Sequence, residues 1–219
     1  MQGAAVKRLA IAILAVLAQS SAYGRDIFDF RGLRLGVALS EIRKLPYPDA
    51  ARWPDAKLIC TGDKERARVS SGGSAPDEDL LKIGVVACNY YRPDGRDFSH
   101  WGLDFVGVTR MQSLLFFTPA SFPEEQRSRL YMIALEAPTE HFDAIAAALK
   151  KSYGEPSYSK PEKRQSGWRT YENLRLGWQA SGGILVTERY FHDVKTMYVT
   201  YQHQQLSDAV ERAEQKLAK

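Results

Sequence analysis

Two cysteines and four histidines are the side chains best suited to chemistry in this chain of 219 residues. Cys60 and Cys88 stand 28 positions apart. Without a Cys-x-x-Cys spacing they do not read as a redox-active pair, and no Gly-x-Ser-x-Gly elbow accompanies them to suggest acyl chemistry. Two readings remain, a disulfide or two buried thiols, and the compartment decides between them. His100, His141, His192 and His203 form no His-Glu-x-x-His or other tight ligand spacing, so neither a metal nor a cofactor is expected. His192 beside Asp193 is the best single pair, yet it sits between two strand-like runs, where a solvated turn accounts for it. Glu124-Glu125 and Glu136 with Glu140 supply carboxylates, but glycoside hydrolysis needs a set separation across a cleft that sequence alone does not define. Ser70 to Pro76 is rich in Gly and Ser but lacks Gly-Lys-Ser/Thr and a preceding apolar strand. It is expected to be a surface loop, not a phosphate cradle.

The N-terminus settles which reading of the cysteines to prefer. Lys7 and Arg8 precede an apolar run, Leu9 to Ala18, and Ser20-Ser21-Ala22 then offers the small residues a signal peptidase reads. Residues 1–22 are expected to be a cleaved signal peptide, with Gly24 as the second choice of site. The run is well short of the ~20 residues a membrane span needs, so no transmembrane anchor is expected after cleavage. An exported chain folds where thiols oxidise, which predicts a Cys60–Cys88 disulfide worth about 3 kcal/mol in the chain-entropy account. Loss of Lys7 and Arg8 lowers the net charge from +4 to +2. A near-neutral exported protein does not suit nucleic acid as a partner.

The elements that would position these residues centre on Thr139 to Gly154. Phe142, Ile145, Ala146, Leu149 and Tyr153 recur at helical spacing, with Thr139 as the expected cap and Gly154 then Pro156 as the stop. Such a stripe needs a sheet to pack on. Strands are expected at Phe28 to Gly36, Leu80 to Tyr91, Phe98 to Val108, Ser113 to Thr118, Arg129 to Leu135, Trp168 to Trp178, Ile184 to Phe191 and Thr196 to Gln202. A short helix capped by Ser40 is expected over Leu39 to Leu45, and a loop over Glu155 to Gly167. Ser207 to Lys219 reads as a surface helix with Leu206, Val210, Ala213 and Leu217 on a thin stripe. The fold class is α+β, with antiparallel sheet and helices packed on one face. The domains follow as 23–126 for a first module, 127–205 for a second and 206–219 for the final helix.

The order strand, short helix, loop and antiparallel strands occurs twice. It is carried by Leu35-Gly36-x-x-x-Ser40-x-Ile42 and by Phe142-x-x-Ile145-x-x-x-Leu149-x-x-x-Tyr153-Gly154-x-Pro156. In this the chain resembles the small helix-on-sheet modules of β-lactamase-inhibitor-like proteins and of small outer-membrane assembly lipoproteins, which implies two such modules in tandem here. No Cys stands near the cleavage site, which separates it from the lipid-anchored members. The resemblance implies a sheet face that contacts another protein.

One face has residues suited to that role. In Trp168 to Trp178, Leu174, Leu176 and Trp178 are assigned to the helix, leaving Arg169, Tyr171, Asn173 and Arg175 opposite. Tyr198, Thr200 and Gln202 lie opposite Met197, Val199 and Tyr201. Leu185, Thr187 and Arg189 join that second face if odd positions there point the same way, which Glu188 leaves open by sharing parity with Ile184 and Val186. Arg169, Tyr171, Arg175, Arg189 and Tyr198 are thus the candidate binding residues, since Arg and Tyr dominate recognition surfaces. Cross-strand pairing on a wet face, or cover by the N-terminal half, is the plainer explanation of the same residues. Contact of the basic Lys160, Lys163, Arg164 and Arg169 with anionic envelope lipid ranks below a solvated loop. The function expected is a non-enzymatic interaction or ligand-binding module in the bacterial envelope, with an envelope protein as partner. The alternative is an envelope hydrolase whose site assembles only in the fold.

Overall fold

The computed structural model describes residues 29–70, 76–166, 168–191 and 193–217. The signal peptide, Phe28, most of the Gly/Ser stretch and His192 lie outside the described residues.

The chain opens with a small hairpin, β1 (Asp29–Phe30) and β2 (Leu33–Arg34), instead of one strand to Gly36. Arg31 and Gly32, both at positive φ, make its two-residue turn. Helix α1 (Leu39–Ile42) follows with Ala38, not Ser40, at its N-cap. Strand β3 (Lys57–Cys60), a 3₁₀ turn at Lys64–Arg68 and helix α2 (Glu78–Lys82) come next. Leu80 to Lys82 was expected in a strand but is helical, because Asp77 caps the turn through the Asp79 amide at 2.9 Å. Strand β4 (Val86–Asp94) and β5 (Asp97–His100) form a hairpin at the expected Pro-Asp-Gly turn. The expected strand from Phe98 to Val108 breaks into β5, β6 (Leu103–Phe105) and the start of β7 (Val108–Phe117). Positive φ at Gly102, Val106 and Gly107 forces the two breaks.

The second half begins at β8 (Leu130–Pro138) and runs through a 3₁₀ turn at Thr139–His141 into α3 (Phe142–Tyr153). Thr139 does not cap α3. Its hydroxyl donates to the Arg189 carbonyl at 3.2 Å, and the 3₁₀ turn opens the helix in its place. Strands β9 (Tyr158–Ser166), β10 (Arg169–Ala180), β11 (Gly183–Glu188), β12 (Thr196–His203) and helix α4 (Gln204–Leu217) complete the chain. The expected loop over Glu155 to Gly167 is therefore largely β9. That strand is polar throughout because it is a sheet edge, where Pro161 needs no ladder N–H and lysines discourage further pairing.

The named strands beyond the first hairpin join one antiparallel sheet of ten, in the order β3-β4-β7-β8-β12-β11-β10-β9, with β5 on β4 and β6 on β7. Each half supplies a short helix followed by a meander, and the last strands of both meanders, β7 and β12, flank β8. The sheet thus runs across the boundary expected near residue 126.

Alternation in the strands produces two cores. On one face Phe142, Ile145, Ala146 and Leu149 of α3 pack on Leu115, Ile133, Leu135, Leu176, Trp178, Met197 and Val199. Gly154, at φ 82°, ends α3, and its carbonyl accepts from Trp178 Nε1 at 2.8 Å. On the other face Leu206 and Val210 of α4 pack with Val85, Ala87, Leu114, Phe116 and Tyr131, joined by Leu80 of α2. The helices therefore divide between both faces, which corrects the expectation of a single helical layer. Leu114 and Phe116 alternate with Leu115 and Phe117, so β7 has apolar partners to offer on both sides. The last helix buries Leu206, Ala209 and Val210, whereas Leu217 is exposed.

Candidate binding face

Register pairing lays the face opposite α3 out in rows. One polar row crosses six strands: Gln112, Glu136, Tyr198, Glu188, Arg175 and Lys160. The next is Leu114, Ala134, Thr200, Val186, Gly177 and Tyr158. A third runs Phe116, Met132, Gln202, Ile184 and Gln179. Directly paired residues share a face, so each row is a line of neighbouring side chains.

The rows are filled differently along their length. Over β10 and β11 the face is closed by its own side chains. Glu188 is the one carboxylate among the buried described residues. Its Oε1 accepts from Asn173 Nδ2 at 2.7 Å and lies 3.5 Å from Arg164 Nη2. Asn173 Oδ1 in turn accepts from the Tyr190 amide at 2.9 Å. Tyr171 stands edge-on to Tyr190 with ring centroids 5.7 Å apart. The Tyr158 ring lies over Gly177, where a Cβ would displace it, so the glycine lets the ring pack flat on the strand. Arg175 loses solvation in this setting, which alone would lower its pKa, but Tyr198, Tyr158 and Glu188 hold it above its ordinary value. Burial pushes the Tyr198 hydroxyl up, against the pull of Arg175.

Over β7, β8 and β12 the same face stays open. A trough of about 500 Å³ has Leu114, Phe116, Met132 and Ala134 as its floor. Pro76, Asp77 and Leu80 at the start of α2 form one wall, and Phe191 with Tyr198 the other. These two rings are in contact at 4.1 Å between centroids. Gln112, Glu136, Thr200 and Gln202 supply polar groups along the same walls.

The candidates from sequence separate accordingly. Tyr171, Arg175 and Tyr198 share the face opposite α3, and Arg169 begins β10 at the outer end of the same alternation. Arg189 does not join them. Its Nη2 donates to Asp143 Oδ1 of α3 at 2.8 Å and its guanidinium lies over the Phe142 ring at 4.7 Å. Leu185 is buried against Tyr201 and Trp178 on the α3 side, so the odd positions of β11 point there, and the even ones, with Glu188, point away. The ambiguity arose because a carboxylate occupied a buried position, and only its partners Asn173 and Arg164 explain that. The apolar floor on β7 and β8 was missed. Its signal was the uninterrupted Leu114-Leu115-Phe116-Phe117, too apolar for a strand with one wet face.

The other chemical groups do not converge. Cys60 and Cys88 form a disulfide between directly opposed positions of β3 and β4, fully buried. His100 packs edge-on against Tyr91 at 5.7 Å, and burial lowers its pKa. His203, at the end of β12 beside Gly36, is lowered by burial as well. His141 lies near Glu140 at 3.8 Å in the turn before α3. Among the described residues no group of three or more His, Cys, Asp or Glu could hold a metal ion, and no helix is long and apolar enough to cross a membrane. No protein-family model, curated protein or solved structure matches the chain.

Proposed function

We propose that this chain is an exported, non-enzymatic binding module whose trough receives an apolar stretch of an envelope protein. The observation that carries the reading is the trough over β7, β8 and β12, where half-buried Met132 and Ala134 lie beside the buried Leu114 and Phe116 in a sheet face that is otherwise covered or self-filled. Water over such a floor finds few hydrogen-bond partners, so apolar side chains that displace it gain free energy. The polar groups of Gln112, Glu136 and Gln202 beside it would fix the register of the incoming chain, the arrangement of apolar centre and polar rim common to interfaces. The charge-apolar-small order of residues 1–22 and the Cys60–Cys88 bridge support export.

Filling the trough tests this. Ala134→Phe places a ring over the floor while removing no core atom. Recovery of the envelope partner in a co-purification should fall about tenfold or more, with the thermal midpoint nearly unchanged. Undiminished recovery of the same partner would exclude the trough as its seat.

A further inference from the structure

The tip of the β9–β10 hairpin has a different character from the trough. Trp168 is fully exposed, at 103% of its reference surface, while Trp53 and Trp101 are half-buried and Trp178 is 3% exposed. From Lys163 to Tyr171 the sequence Lys-Arg-Gln-Ser-Gly-Trp-Arg-Thr-Tyr holds three cations and no carboxylate. Arg164 is engaged with Glu188 and the Phe191 carbonyl, whereas Lys163 and Arg169 are exposed. Glu162 is paired with Lys160 at 2.5 Å, and Glu172 stands directly opposite Lys163 across the ladder, so Arg169, next to Trp168, is the cation nearest the tip and Lys163 an exposed cation further back. Tyr171 and Tyr190 stand behind it, both half-buried.

An exposed indole at a hairpin tip beside the exposed cations Arg169 and Lys163 matches the chemistry of a bilayer interface. The ring body favours the boundary between headgroup and acyl chain, its N–H stays hydrated, and Lys and Arg meet phosphates. A solvated surface residue gains nothing from this arrangement, since an exposed indole leaves a large apolar area in water. We propose that the β9–β10 tip docks the protein onto a membrane surface carrying anionic phospholipid, with Trp168 as the interfacial anchor and Lys163 and Arg169 among the headgroups. The occupant is argued from charge complementarity: cations at the tip, anions on the lipid. It does not depend on what fills the trough.

The test uses the purified chain with vesicles of phosphatidylcholine, plain or doped with phosphatidylglycerol. Residues 1–28 contain no tryptophan, and Trp53, Trp101 and Trp178 emit alongside Trp168, so the tip's signal is the part of the emission change that Trp168→Phe removes. Binding to the doped vesicles should shift emission to the blue, reduce acrylamide quenching and weaken as salt rises. Trp168→Ala should weaken binding about tenfold and remove the shift. Arg169→Ala should weaken it about fivefold at low salt. No binding to the doped vesicles, binding without change in emission or quenching, or equal binding by Trp168→Ala would each overturn the proposal. Trp168→Phe, at an exposed position whose loss removes no core contact, keeps the fold while deleting the tip's indole, and a blue shift or quenching protection that survives it would likewise overturn the proposal.

Discussion

Asn173 and Glu188 are the residues on which the closed part of the face opposite α3 depends. Both are buried, at 2% and 6% exposure, and a carboxylate in that setting survives only with donors around it. Asn173 provides one and, through its own oxygen, satisfies the Tyr190 amide as well. Asn173→Ala should therefore lower the unfolding free energy by about 2–3 kcal/mol, because it strands a buried acceptor and a buried amide together. Gln179→Ala, exposed on the same strand, should change it by less than about 0.5 kcal/mol. Urea denaturation of both variants checks this, and equal stabilities would mean that the buried polar pair contributes nothing. The same pair explains a limit of reading the sequence. Parity in β11 was undecidable from Ile184-Leu185-Val186-Thr187-Glu188, since each alternating set mixes apolar with polar residues. A buried Glu becomes intelligible only once Asn173 of the adjacent β10 and Arg164 of β9 beyond it are brought alongside.

At the scale of elements, α3 was legible because its stripe, Phe142, Ile145, Ala146 and Leu149, repeats at helical spacing and ends at a glycine in the left-handed region. Strand β9 was not, because an edge strand with both faces wet carries no apolar alternation, and Pro161 argues against a strand anywhere else. Helix α4 was legible as a helix but not as part of a core. Its stripe is thin, and it lies against β8, β12 and α2, completing an unexpected apolar cluster that extends to β4 and β7. This second core makes a sharp prediction. Leu206→Ala should destabilise the protein by about 2–4 kcal/mol, as expected for a buried leucine, where a surface helix would lose well under 1 kcal/mol. Chemical denaturation distinguishes the two, and the smaller value would remove α4 from the core.

At the scale of the whole molecule, two helix-and-meander halves share one sheet through β8, and that junction creates the open trough. Strands β7 and β12 close both meanders, and β8 between them brings Leu114, Ala134 and Thr200 into one row. The repeated order of elements was visible in the sequence. Their fusion into a single sheet was not, because strand pairing between distant segments leaves no local signature. The face opposite α3 should then be the working surface and the α3 side its support. A photo-reactive amino acid placed at Gln202 in the trough, and separately at exposed Lys151 on α3, tests this in living cells. A discrete cross-linked adduct to one envelope protein is predicted from position 202 and none from position 151. The reverse pattern, or the same adduct from both positions, would contradict the assignment of the open face.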